Sequence, residues 1–292
     1  MRLATLLTCH NRRETTLASL RGLFAQKLAA EVQMSVFLVD DGSTDGTAAA
    51  VEREFPQVKI LSGDGSLFWA GGMRMAFTEA LKEDFDYYFW LNDDSRLDPD
   101  ALMRLIETGR ELCTRGNGPC VVVGAMREPE TGVTTYGGHV RCSRISPTRF
   151  RLLEPGAEAQ PCATFNGNAV LISREVAARV GNISPVYKHA MGDTDYGLRA
   201  RKLGCTVWLA SGFAGVCHRN GIENTWLDLK LPLRERLQKA FTVKGLPPRE
   251  FLCFVRAHGG VVWPLIWLRP YLRLITQSLF RRLHRPHPNS AR

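Results

Sequence analysis

The chain has 292 residues, 45% of them hydrophobic and 23% charged, which fits one large or two small folded domains and excludes a disordered chain. Its net charge of +9 is uneven: residues 228–292 carry 13 Lys/Arg against 3 Asp/Glu, leaving residues 1–227 near −1, so the cationic character belongs to the C-terminal segment. The eight cysteines include no CxxC pair, which argues against a zinc cluster or disulfide framework and for reduced thiols in a cytosol, and the longest apolar run, Gly259 to Leu268, is too short to span a bilayer.

The start, "MRLATLLTCHNRR", reads as a first strand (3–8) rather than a signal peptide. A helix is expected over 12–26, where Leu17, Leu20 and Phe24 recur at helical spacing. A second strand (34–40), a helix (44–55), a third strand (58–63), a helix opening after glycines (71–84) and a fourth strand (87–92) follow. A helix over 98–112 has Asp98 as N-cap and Pro99 at its first position. Strands are expected at 119–126 and 168–173, with loops and a hairpin between them. A helix over 192–204 and an extended run over 206–218 close this part. Strand–helix alternation predicts an α/β fold with a mostly parallel sheet covered by helices, and ligands in such sheets sit beyond the carboxyl ends of the strands. Three runs end on polar clusters there: "TCHNR", "DDGSTDGT" and "NDDS".

Each cluster has a chemical and a plain structural reading. Asp40 and Asp41 end a strand and can accept hydrogen bonds from a base or ribose; they can equally belong to a turn capped by Thr44 or Asp45. Asp94, with Asn92 and Asp93 beside it, offers oxygen to Mg²⁺ or Mn²⁺, which commonly bind through one or two carboxylates plus substrate phosphates. The alternative is a solvated turn. Asp193 and Asp195 open a helix, where the dipole keeps a carboxylate ionised and suited to act as a base; helix capping is the alternative. His218 ends the extended run 25 residues after Asp193, and is a packed or surface residue unless it completes a metal site.

Taken together, "VDDGSTDGT", "LNDDS", "GDTDYGLRARKLG" and "CHRN" resemble glycosyltransferase family 2 in order and spacing, over roughly residues 3–220. "GDGSLFWAGGMRMA" and "TFNGNAVLIS" are similar to its rhamnosyltransferase-like and galactofuranosyltransferase-like branch. The resemblance implies a GT-A fold, inversion at the sugar and a nucleotide-sugar donor such as dTDP-rhamnose. It also implies a divalent metal, Mg²⁺ or Mn²⁺, and a bacterial polysaccharide or lipid-linked glycan as acceptor. It places Thr8, His10 and Arg12 beside the nucleotide, Asp41 on the base with Asp40 in support, and Asp93 at the variable middle of a DxD-type motif. Asp94 and His218 become the metal ligands, Asp193 the catalytic base and Asp195 the acidic residue two places on. Trp69 and Gly71 are expected to shape the donor pocket, and Asn166 and Asn168 to face sugar or acceptor. Two positions depart from the family pattern: Asn92 replaces the first acid of DxD, and Gly192 replaces the acid usual before the base. A non-catalytic nucleotide-sugar scaffold and a sugar-1-phosphate nucleotidyltransferase are the rival readings, the latter weakened because "TCHNRRET" has no glycine.

A catalytic domain over 1–227 and a basic helical extension over 228–292 are expected. In the extension, Leu272, Ile275, Leu279 and Leu283 share one helical face, with Arg273, Gln277 and Arg281 off it. Such a helix suits an anionic membrane surface, which predicts a cytoplasmic protein peripheral to the inner face of the cell membrane. Packing on the catalytic domain or on a second subunit, as in a homodimer, is the alternative. No nucleic-acid motif is present.

Overall fold

The computed structural model describes residues 1–143 and 145–283, with side chains considered through Gln277. The chain forms two compact units, Met1–Cys142 with Phe150–Arg219, and Ser143–Arg149 with Asn220–Arg292.

The first unit alternates as expected: β1 (Arg2–Cys9), α1 (Arg13–Phe24), β2 (Gln33–Asp40), α2 (Thr47–Glu54), β3 (Val58–Ser62), α3 (Phe68–Ala80) and β4 (Tyr87–Leu91). Next come β5 (Arg96–Leu97), α4 (Ala101–Thr114) and β6 (Cys120–Arg127). The stretch expected to be loops and a hairpin holds five short strands: β7 (Thr134–Tyr136), β8 (Gly138–Arg141), β9 (Phe150–Leu152), β10 (Gln160–Pro161) and β11 (Thr164–Phe165). The unit ends with β12 (Ala169–Ser173), α5 (Arg174–Val180), α6 (Gly192–Lys202) and β13 (Thr206–Val216).

The main sheet runs β10-β13-β6-β12-β4-β1-β2-β3, and β11-β8-β9 form a small separate sheet. Strands β1 to β4 are mutually parallel, and so are β6 and β13; β12 runs antiparallel to both β4 and β6. One reversed strand therefore joins two parallel blocks that point the same way. Their carboxyl ends share one edge, and the N-terminal end of β12 lies there too, with Ala169 opposite Leu91. Strand β1 is buried along nearly its whole length because helices cover both faces. On one face Leu17, Leu20 and Leu23 of α1 and Leu102, Leu105 and Ile106 of α4 pack on Leu3, Leu7, Leu38, Phe89 and Leu171. On the other, Trp90 lies among Phe77 of α3, Phe165 and Tyr196 of α6, with ring centroids 4.9–6.1 Å apart.

Two boundaries differ from expectation. Helix α3 begins at Phe68, with Gly71 and Gly72 buried inside it; a Cβ on Gly72 would lie 2.1 Å from Thr8 Oγ1, so the glycine lets α3 close on β1. Helix α4 has Asp100 rather than Asp98 at its N-cap position, with no side-chain capping bond, and Asp98 instead accepts from both guanidinium nitrogens of Arg127, at 2.9 and 3.1 Å.

The second unit contains α7 (Leu233–Ala240), α8 (Pro248–His258), a single 3₁₀ turn (Gly260–Val262) and α9 (Trp263–Leu283). Tyr271 of α9 stacks near Phe241, Phe251 and Trp267 and donates to the Leu246 carbonyl at 2.9 Å. Arg236 is 2% exposed and donates to the Trp226 carbonyl and to Gln277 Oε1.

Candidate active site

The parallel register sets Cys9 opposite Asp40 and Asp40 opposite Ser62, so the polar clusters after β1, β2 and β3 meet at one edge. Asp41 is 3% exposed. Its carboxylate accepts from the backbone N–H of Gly65 (2.8 Å), Leu67 (3.3 Å) and Phe68 (2.9 Å), fixing the turn that launches α3. Phe68 sits there at φ +55, a costly conformation for an aromatic residue that these bonds help to hold. Asp40 accepts from Ser43 N at 2.9 Å. His10 Nδ1 donates to the Asp41 carbonyl at 2.5 Å; a carbonyl only accepts, so the ring proton is on Nδ1. Thr8 is buried against Gly72 at the β1–α3 contact, and Gly71 is buried within α3, facing Leu67. A shallow depression of about 320 Å³, lined by Asn11, Arg12, Arg13, Glu14, Thr15 and Asp45, opens at the start of α1.

Arg12 joins this cluster to the next. Its Nη1 lies 3.0 Å from Asp93 Oδ1 and 2.9 Å from Asp94 Oδ2. Burial pushes the Asp93 carboxyl up to about 6, against the pull of Arg12. Asp94 is the more open of the pair, and its Oδ1 faces the Cys217 thiol at 3.5 Å. Burial holds that thiol up at about 12, so it is protonated. Asn168 donates to the same sulfur at 3.5 Å, and its carbonyl accepts from Asn92 N at 3.1 Å.

His218 follows Cys217 but turns to a different partner, Glu128 Oε1, at 2.6 Å. Glu130 Oε2 lies 3.7 Å from the same nitrogen, and Glu128 Oε2 accepts from Arg219 N. One ligand atom from each of Glu128, Glu130 and His218 lies within 4.8 Å of the others. The geometry thus links Asp94 to Arg12 and Cys217, and His218 to two glutamates that the sequence reading missed. "REPE" after β6 repeats the pattern that singled out "NDDS", an acidic pair at the carboxyl end of a strand, and was the available signal.

Asp193 stands in the first turn of α6. Its Oδ2 accepts from Gly167 N at 3.0 Å, and its Oδ1 from the backbone and hydroxyl of Thr194 at 2.6 and 3.3 Å. Burial raises its pKa above the ordinary carboxylate value, opposed by these bonds. Asp195 is 3% exposed and pairs with Arg199 Nε at 2.7 Å; Arg199 also donates to the carbonyls of Val180 and Asn182. Asp195 therefore anchors α6 to the preceding loop. Asn166 is half-buried, its backbone N–H on the Gly137 carbonyl.

Trp69 lies between Asn92 and the Gly167 segment that holds Asp193. Its Nε1 donates to Asn92 Oδ1 at 2.7 Å. A Cβ on Gly167 would fall 2.4 Å from Trp69 Cζ2. A Cβ on Gly192 would meet Ala70 Cβ at 3.0 Å and Trp69 Cζ3 at 3.7 Å. Of the two departures from the family pattern, Asn92 holds the indole, and Gly192 makes room for Ala70 and Ile183 Cγ2, with the indole at ordinary contact distance.

The sequence profile of glycosyl transferase family 2 matches residues 5–180, more than half of the chain, from within β1 to the end of α5. The chain belongs to glycosyl transferase family 2. A relative in the family, N-acetylglucosaminyl-diphospho-decaprenol L-rhamnosyltransferase of Mycobacterium tuberculosis, is 25% identical over 214 residues, covering 65% of this chain and 67% of that protein. Among solved structures, mannosyltransferase PcManGT from Pyrobaculum calidifontis, in complex with GDP-Man and Mn²⁺, matches with a TM-score of 0.57 at 14% identity. That match covers 99% of this chain and 77% of PcManGT. TarS from S. aureus matches at 0.54 and 12% identity over 88% of this chain, which spans 42% of TarS. A shorter TarS structure in complex with UDP gives the same score and identity, with 70% of it covered. The structural likenesses support the GT-A fold; with the family match they make this protein a glycosyltransferase rather than a scaffold or a nucleotidyltransferase.

Proposed function

We propose that this glycosyltransferase moves a sugar, with inversion, from a nucleoside-diphosphate donor to a hydroxyl of a lipid-linked or surface-polysaccharide glycan. The observation that carries the reading is Asp193, a carboxylate raised in pKa by burial, fixed by Gly167 N, and bridged through Trp69 to the Asn92–Asp94 turn. In this mechanism Asp193 takes the proton of the acceptor hydroxyl. The freed oxygen attacks the anomeric carbon from the face opposite the leaving group. The carbon–oxygen bond to the diphosphate breaks in the same displacement, which inverts the centre. Arg12, poised on Asp93 and Asp94, supplies positive charge at the side where the diphosphate departs.

The carboxylate oxygens of Glu128 and Glu130 with the imidazole of His218 suit a divalent cation, Mg²⁺ or Mn²⁺, while Asp94, held by Arg12, offers a carboxylate outside that cluster. Bound there, it would neutralise developing charge on the leaving diphosphate. Mn²⁺ in PcManGT supports the metal, UDP in TarS and GDP-Man in PcManGT support a nucleotide donor, and the mycobacterial relative's name supports rhamnose and a lipid-linked acceptor. A lipid-linked acceptor places the enzyme at a membrane face as a peripheral protein; among the described residues no helix is long and apolar enough to cross a bilayer.

Donor hydrolysis and transfer, measured with UDP-, GDP- and dTDP-sugars with Mn²⁺ or EDTA, test the reading. Metal-dependent turnover that Asp193→Asn abolishes is expected. Near-wild-type turnover in that variant would remove Asp193 as the base.

A further inference from the structure

Helix α9 carries two apolar faces, and the fold uses one. Leu274, Tyr271 and Trp267 turn inward: Leu274 is 2% exposed, and the other two are tied by hydrogen bonds to the Leu246 and Pro248 carbonyls. Leu265, Leu268, Leu272 and Ile275 turn outward, at 71%, 42%, 49% and 39% exposure. At 100° per residue these four fall within an arc of about 80° and form one ridge. Val261, in the turn before the helix, is 95% exposed. Four large aliphatic side chains left in water on one face are the opposite of what a solvated helix needs.

The charge beside the ridge selects its partner. Exposed Arg269 and Arg273 flank it on one side, and Arg256 lies 5.8 Å over the Trp263 ring at the head of the helix. From Phe251 to Arg292 the chain has seven arginines and no acidic residue. A protein partner's groove would be served by cations and anions alike, whereas an acid-free run of arginines beside an apolar ridge matches anionic headgroups above an acyl layer. The four arginines of α9 rule out a crossing segment, so the helix lies along the interface.

We propose that the outward ridge of α9 is the surface by which the enzyme docks on an anionic lipid bilayer. Leu265, Leu268, Leu272 and Ile275 enter the acyl boundary, and Arg269 and Arg273 meet the headgroups. This deepens the peripheral position proposed above and rests on it. Leu279 and Leu283, which the sequence places on the same face, lie outside the residues whose side chains are described.

The test is flotation of the full-length protein with vesicles of phosphatidylcholine alone or mixed equally with phosphatidylglycerol, at low and high salt. The protein is expected to float with the anionic vesicles and far less with the neutral ones. Leu265→Glu combined with Leu272→Glu should weaken binding at least tenfold with an unchanged melting temperature, since both side chains are exposed. Arg269→Gln with Arg273→Gln should cost roughly thirtyfold on anionic vesicles, from the contribution of each arginine near such a surface, and little on neutral ones. Failure of the wild type to float, or flotation of the leucine variant at wild-type strength, overturns the proposal. So does a dimer in sedimentation that the leucine variant splits while no flotation occurs, which would assign the ridge to a second copy. Donor turnover measured on the same preparations separates the two levels: turnover without flotation removes the ridge alone, and flotation without turnover removes the transferase reading while the ridge stands.

Discussion

At the scale of single residues, two carboxylates make opposite demands on pH. As the proposed base Asp193 would act only when ionised, and burial raises its pKa, so kcat/KM should fall as pH drops through a value above the ordinary carboxylate range. Asp193→Asn removes proton transfer, and turnover is expected to fall about 10²–10⁴-fold with donor binding retained, read by single-turnover kinetics and donor titration. Asp93 bears on stability instead. Its folded pKa of about 6 lies above the ordinary value of 3.8, so the native state binds the proton more tightly than the unfolded chain. That contribution is fully present below 3.8 and is lost as pH rises through about 6. The loss amounts to roughly 3 kcal/mol at neutral pH. Asp93→Asn should therefore flatten the melting temperature between these pH values and raise it at pH 7. An unchanged pH profile would show that Arg12 already compensates the buried charge.

At the scale of elements, Trp69 couples α3, β4 and α6, and glycines set its place. Gly167→Ala would put a methyl 2.4 Å from the indole, which must move, loosening its bond to Asn92 and the Gly167 N–H that holds Asp193. A stability loss of about 1–3 kcal/mol is expected, with a fall in kcat larger than any change in KM. Adding Trp69→Phe, a smaller ring, should restore part of the stability; if the double variant is no better than the single, the clash is not with the indole. The sequence made the frame of this arrangement readable. Strands β1, β4 and β6 and the second half of β2 are buried, mostly apolar runs, and each polar cluster follows a strand end. It did not make the reversal of β12 readable, because a strand buried on both faces has the same composition in either direction. Between Thr134 and Phe165 the expected hairpin is met by antiparallel β8 and β9, while the other strands are each too short to show a period. Asp41, expected on the base, also accepts from three backbone N–H groups, and Asp98 serves Arg127 rather than a helix end. A carboxylate's partner is fixed by tertiary contacts, and the residue types alone left those alternatives open.

At the scale of the whole molecule, charge and chemistry are divided along the chain. The residues assigned to catalysis all lie in the first compact unit, and most of the excess positive charge lies after Asp228. Ligands of the site should therefore stabilise one unit selectively. Two compact units permit two unfolding transitions, and a nucleoside diphosphate with Mn²⁺ should raise only the one belonging to the first. At a ligand concentration of a hundred times Kd the gain is about 2.7 kcal/mol, or about 4–5 °C if all 292 residues melted together. A shift confined to the first unit, which is smaller than the whole chain, should be somewhat larger. EDTA should cancel the gain if Asp94 and His218 engage the nucleotide through a metal. A gain that survives EDTA and disappears in Arg12→Gln would instead make the guanidinium the main partner of the diphosphate. The second outcome has a physical basis in the site itself. Asn92 contributes no negative charge and already accepts from Trp69, while Arg12 places its cation on both remaining carboxylates. Calorimetry of UDP, GDP and dTDP with and without Mn²⁺, on wild type and Arg12→Gln, distinguishes the two by which factor, metal or arginine, removes the shift.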